Sequence, residues 1–192
     1  KITRSILKKV DFPLAMPSAN KSTNVSPVCA VDVFEEFKSK IQLIVDGGRS
    51  KVGIESTVID LTNKPQILRP GIIDKYMIEK ILQLRLKNYY KKKKIKSPGT
   101  MKKHYSPGIP VLINQKKYDK KSAFIYLGKK YKNNKNFFCL SKKSSLKEAA
   151  SNLYKIFRII KKKGYKKIKI SKIPNTKIGI AINDRIKRAS QK

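Results

Sequence analysis

One stretch divides this chain: YYKKKKIKSPGTMKKHYSP, residues 89–107. It opens on a lysine run and ends in SPGTMKKHYSP, which holds two prolines, a glycine and the only histidine, His104. Proline lacks an N–H and fixes φ, so no regular helix runs through that ending. It is also the clearest shift in composition along the chain. The expected organisation is therefore a unit at 1–88, a linker at 89–109 and a second unit at 110–192.

In the first unit, Ile2, Ile6, Leu7 and Val10 fall on one helical stripe. PLAMPSANKSTNVSP, residues 13–27, is rich in Pro, Ser and Asn and reads as loop. Ser26-Pro27 has the form of an N-cap followed by proline at the first helical position, predicting a helix through AVDVFEEFKSK. QLIVDGG reads as a short buried strand ending in a turn. STVIDL and QILR read as two more strands, the second stopped by Pro70 and Gly71. Residues 74–86 read as helix. In the second unit, IPVLI, SAFIYL, FFCLS and KKIKIS predict strands. SLKEAASNLYKIFRIIKKK predicts a helix with a Ser145/Glu148 capping box and an apolar face of Leu146, Ala149, Ala150, Leu153, Phe157 and Ile160. IGIAINDRIKRAS closes as a helix. Alternating strands and helices imply an α/β class.

The net charge is +35, yet only seven of the 47 basic residues are arginine. Arginine is the usual choice for bidentate phosphate and base contacts, and the lysines are spread along the chain. A lysine-biased composition is the expected source of most of the charge, with contact with RNA left as an open alternative. Cys29 and Cys139 form no CxxC pair, which fits free thiols in a reducing compartment, and two cysteines with one histidine argue against a structural zinc site. No run of about 18 apolar residues is present, so no transmembrane helix is expected. P-loop, GxGxxG and Ser-His-Asp patterns are all absent.

Candidate chemistry gathers in three places. Ser18, Asn20, Ser22, Thr23, Asn24 and Ser26 put hydroxyls, amides and backbone N–H groups on a helix-initiating loop, which suits a phosphate but equally suits a turn that only caps a helix. Ser56 and Thr57 open a strand, and Arg69 ends one, where a guanidinium can fork onto phosphate or make a surface ion pair. His104 and Tyr105 lie in the linker. An aromatic there can stack on a base, whereas a lone loop histidine is usually just solvated.

Taken in order, PLAMPSANKSTNVSP, LIVDGGRSKVGIESTVIDL, ILRPG, SPGTMKKHYSP and GIAINDRIKRAS resemble the Sua5/YrdC family of threonylcarbamoyl-AMP synthases, in the long two-domain form. The resemblance covers nearly the whole chain. It implies the C-terminal part of a YrdC-like twisted mixed α/β sheet, a linker across the active site, and a small Rossmann-like α/β domain. It implies synthesis of L-threonylcarbamoyladenylate from L-threonine, bicarbonate and ATP, with release of pyrophosphate, for modification of adenosine 37 in tRNA. It further implies Mg²⁺ arriving with ATP, tRNA or double-stranded RNA and the threonylcarbamoyl-transfer machinery as partners, a cytoplasmic location and no membrane. The alternative is a non-catalytic, basic RNA-binding protein on the same fold.

Carried over residue by residue, Met16 (through its backbone), Ser18 and Ser26 would cradle the nucleotide. Ser56 would touch threonine, Arg69 would bind the phosphates, and Tyr105 would close over the nucleotide, with His104 holding the turn. No residue is assigned as a general base. The family shows glycine where this chain has Thr23, which matters if that position needs a positive φ. The family's upstream section, with its basic KxxR-type motif, has no counterpart in residues 1–10. The expectation is that residues 1–192 alone are inactive or poorly folded, and that the parent protein is the synthase.

Overall fold

The structure is a computed structural model that describes residues 2–88, 101, 104–131 and 134–191. The first unit holds α1 (Ile2–Leu7), α2 (Ala30–Phe37), β1 (Val58–Asp60), β2 (Gln66–Arg69), α3 (Lys75–Leu82) and β3 (Lys87–Asn88). The two expected strands at 56–61 and 66–69 pair antiparallel, with a register irregularity between Val58 and Ile59. Asp74 caps α3 by accepting the Met77 N–H at 2.9 Å. Gln83 ends that helix in the left-handed region (φ 52). The turned chain is then held by the Leu86 N–H, which donates to Glu79 at 2.7 Å, and β3 adds parallel to β2. Ile67, Ile78 and Leu86 form a small core beneath this layer, with Ile59 against it.

Four expectations for this unit need correction. The helix read over 74–86 stops at Leu82. The stripe at 1–10 forms a helix only over Ile2–Leu7, and none of its residues is buried. Helix α2 does not start at Ser26-Pro27 but at Ala30, with Cys29 as N-cap and no side-chain capping bond. The Ser26 hydroxyl is drawn away to Glu55 at 2.7 Å, while Asp32 accepts the Val28 N–H at 2.8 Å. QLIVDGG forms no strand, and Leu43 and Val45 stay exposed. A strand needs a neighbour for its N–H and C=O groups, and none of the described strands runs beside residues 41–47.

The second unit follows the sequence closely. Strands β4 (Val111–Leu112), β5 (Ala123–Tyr126), β6 (Phe137–Cys139) and β7 (Ile168–Ile170) form one parallel sheet in the order β4-β7-β5-β6. Every residue of β5 is buried, as a central parallel strand requires. Helices α4 (Leu146–Lys162) and α5 (Ile178–Ala189) pack against each other. Ser145 caps α4 by accepting the Glu148 N–H at 3.3 Å. The reciprocal half of the box is rerouted: the Ser145 N–H donates to Ser141 Oγ at 3.0 Å, and that hydroxyl donates to Glu148. Of the expected apolar face, Ala149, Ala150, Leu153, Phe157 and Ile160 are fully buried.

The two units share one core. Val25, Val28, Ile54 and Tyr105 belong to the same buried cluster as Leu153, Phe157 and Ile182. Gly53 makes this contact possible. Its φ is +76, and a Cβ there would stand 2.6 Å from Ser151 Cα on α4, so only glycine lets the loop approach. Arg158 of α4 extends the contact, donating to the Val25 carbonyl at 2.7 Å and pairing with Asp32 and Glu36.

Candidate functional site

The Ser/Asn-rich loop is tied to α2. Glu36 Oε1 accepts from the Lys21 N–H at 3.1 Å and from Asn24 Nδ2 at 2.7 Å. Asn20 donates to the carbonyls of Lys21 and Asn24, so it shapes the turn from inside. Thr23 stands at φ 67. A β-branched side chain in that region is strained, and what holds it there is the segment around Ser106. The Ser106 N–H donates to Thr23 O at 2.8 Å, and the Val25 N–H donates to Ser106 O at 3.2 Å. Residues 104–106 thus run alongside the loop as a strap, bridged at Asn24 and Ser106.

The strap is pinned at its other side by α5. The His104 N–H donates to Arg188 O at 3.5 Å. Tyr105 lies at φ 58, and its N–H donates to His104 Nδ1 at 3.0 Å. His104 therefore holds the turn through an unprotonated ring nitrogen. Burial pushes its pKa below the ordinary value; the Glu55 charge opposes this, and Arg188, Arg185 and Arg69 reinforce it. A histidine with a depressed folded pKa costs stability only as pH falls below its unfolded value of about 6.5. Acidification from pH 7.5 to 5.5 is expected to loosen the strap first. Amide hydrogen exchange at Tyr105 and Ser106, normalised for intrinsic rates, should rise more than exchange in β5. Equal changes in both would contradict a role for His104.

Glu55 is the centre of the site. Its carboxylate accepts from Ser26 Oγ (2.7 Å), Tyr154 Oη (2.9 Å) and Arg185 Nε (2.9 Å). Arg185 is fully buried and also donates to the carbonyls of Pro70 (2.7 Å) and Glu55 (3.3 Å). Burial alone would raise the Glu55 pKa. The Arg185 charge and the Ser26 hydrogen bond outweigh it, and the carboxyl is held below its ordinary range. Tyr154 is pushed well above the ordinary phenol value by burial and by Glu55, so it stays a proton donor. Beside this group, Arg69 Nε donates to the Ser56 carbonyl at 3.0 Å and Nη2 to Ser56 Oγ at 3.3 Å. Gly71 passes so close that a Cβ would lie 2.3 Å from the Thr57 amide nitrogen.

Of the residues singled out from sequence, Ser56 and Arg69 come together directly, and Ser26 joins them through Glu55. Ser18 is exposed, and Met16 is 61% exposed, both on the outer part of the loop. Tyr105 is 1% exposed, with its ring stacked on Tyr154 at 5.8 Å and the Arg185 guanidinium 5.2 Å over it. Its hydroxyl has no partner among the described residues.

Sequence reasoning passed over Glu55, Tyr154 and Arg185. The signal for Arg185 was present: it occupies the stripe of Ile178, Ala181, Ile182, Ile186 and Ala189, all buried. A charge on a buried helix stripe needs a buried partner.

Comparison with known proteins decides the kinship. A family profile described as "Threonylcarbamoyl-AMP synthase, C-terminal domain" matches residues 73–191. The chain belongs to the threonylcarbamoyl-AMP synthase family. A second profile, described as "Telomere recombination", matches residues 1–71. The threonylcarbamoyl-AMP synthase of Pyrococcus abyssi is 32% identical over 98% of this chain and 61% of its own length. That of Bacillus subtilis is 27% identical over 97% and 59%. The chain thus spans about three fifths of these relatives. Among solved structures, P. abyssi Sua5 complexed with L-threonine superposes with a TM-score of 0.78 at 30% identity, covering 91% of this chain and 56% of that one. A P. abyssi Sua5 variant with an adjacent histidine and tyrosine replaced by alanine superposes at 0.83 and 29% identity, covering 99% and 60%. Membership in this family accounts for the α/β class.

Proposed function

We propose that residues 1–192 supply one side of the ligand site of an L-threonylcarbamoyladenylate synthase, with 1–88 on the catalytic unit, 89–109 as linker and 110–192 as the C-terminal unit. The reaction joins the amine of L-threonine to bicarbonate as a carbamate, with loss of water. A carbamate oxygen then attacks the α-phosphorus of ATP, the bond to the β-phosphate oxygen breaks, and pyrophosphate leaves. The product serves tRNA modification in the cytoplasm through a transfer machinery. Such chemistry asks a protein mainly for positioning and charge neutralisation.

The observation that most supports this reading is the Ser56–Arg69 pair. Because Arg69 donates to Ser56 Oγ, that hydroxyl keeps its own proton for a carboxylate or phosphate oxygen. Ser26 is complementary. Its proton is committed to Glu55, so its lone pairs suit an ammonium or a ribose hydroxyl. Met16 and Ser18 offer the outer loop to the nucleotide, and Tyr105 acts by anchoring the strap beside it. Mg²⁺ would neutralise phosphate charge. The described residues hold no cluster of carboxylates and histidines to bind it, so its ligands would be ATP oxygens and water.

Calorimetric titration with L-threonine, on the protein expressed from its complete gene, tests the assignment. Saturable binding that weakens about tenfold in Ser56→Ala, roughly one lost charge-assisted hydrogen bond, is the expected result. Unchanged affinity would remove Ser56 from the site.

A further inference from the structure

One ion pair links the Ser26, Ser56 and Arg69 segments of the proposed ligand face. Glu55 precedes Ser56, accepts from Ser26 at the end of the loop, and is gripped by Tyr154 of α4 and Arg185 of α5. The same guanidinium reaches the Pro70 carbonyl, next to Arg69. The two helices that hold it contribute none of the residues proposed to touch ligand. We propose that Glu55 is a positioning residue, through which α4 and α5 set the spacing between Ser26, Ser56 and Arg69 and hence the affinity for threonine.

The proposal rests on the functional reading above and deepens it. A carboxylate accepting three hydrogen bonds, with its arginine also fastened to a backbone carbonyl, has little freedom to shift. The Ser26–Glu55 bond is the side-chain link between these two segments. The Ser50 N–H to Val28 O bond (2.8 Å) and the packing of Val25 and Val28 with Ile54 hold their backbones, while loop 18–24 is held by Glu36 and the strap. Loss of this link leaves the backbones packed but loosens the placement of the Ser26 side chain relative to Ser56. Misplacement of about 1 Å at such a site is worth up to 10²-fold.

The test uses the protein expressed from its complete gene, with pyrophosphate release and threonine titration as readouts. Glu55→Gln keeps the shape and removes the charge. Tyr154→Phe removes one hydrogen bond to Glu55 and keeps the ring stacked on Tyr105. Both should raise the threonine KM and Kd, Glu55→Gln by about tenfold and Tyr154→Phe by less, with kcat changing less than KM. Glu55→Asp, which keeps the charge, should restore part of the affinity. Arg49→Ala is the control: it breaks a separate contact between the units, to the Ser151 carbonyl, and should leave KM unchanged. A fall in melting temperature with threonine affinity intact in Glu55→Gln would overturn the proposal, as would an equal rise in KM for Arg49→Ala. Absence of threonine binding by the unaltered protein would overturn the functional reading itself, and this inference with it.

Discussion

Arg185→Leu is expected to destabilise the protein by about 3–5 kcal/mol at pH 7, measured by urea unfolding of the protein expressed from its complete gene. The arginine is fully buried, and its removal leaves the largely buried Glu55 carboxylate without its cation, held only by neutral donors such as Ser26 and Tyr154. The Pro70 carbonyl loses its donor as well. The pH dependence of the loss is diagnostic. With Arg185 present, Glu55 titrates below its unfolded value, so its contribution is present above about pH 4.3 and fades as pH falls through the folded pKa. Without Arg185, burial dominates and the folded pKa rises above the unfolded one. Stability tied to Glu55 is then lost as pH rises through that raised value. The deficit relative to the unaltered protein should therefore shrink on acidification from pH 7 toward pH 4.5. A double substitution, Arg185→Leu with Glu55→Leu, should recover part of the loss, because no uncompensated charge remains buried. A deficit under 1 kcal/mol, independent of pH, would contradict the arrangement.

Arg69→Ala is expected to lower kcat/KM for pyrophosphate release by about 10²–10³-fold. The guanidinium is held at the end of β2 by two bonds to Ser56, so its loss removes a cation and releases the serine that proposedly meets threonine. Arg69→Lys should recover little. An ammonium cannot reproduce the fork that reaches both the carbonyl and the hydroxyl of Ser56. The melting temperature should fall only slightly, since both hydrogen bonds of the pair are exposed. Loss of activity matched by an equal loss of folded protein would assign Arg69 to structure instead.

Legibility in the sequence followed the range of the interactions involved. Helix α4 was readable because its cap and its apolar face are both local, and β5 because a buried parallel strand is a continuous apolar run. Residues 41–47 have strand-like composition but no strand; local pattern does not say whether a partner lies alongside. The start of α2 was misplaced for a related reason: Ser26 was assigned to its own helix, whereas its hydroxyl serves Glu55, 29 residues on. Positive φ at Thr23 was foreseeable only from the glycine of related chains, and the strap that imposes it comes from Ser106. The Glu55–Arg185 pair joins residues 130 apart and left a single trace, a charged residue on an apolar helix stripe. Tyr105 was expected to close over a nucleotide. Its place between Tyr154 and Arg185 depends on two helices whose packing no local pattern encodes.

Pyrophosphate release by the protein expressed from its complete gene, supplied with ATP and Mg²⁺, tests the central claim most directly. Release that requires both L-threonine and bicarbonate, and that falls at least 10²-fold in Arg69→Ala, is the predicted result. Release independent of threonine, or unaffected by Arg69→Ala, would contradict the proposed site.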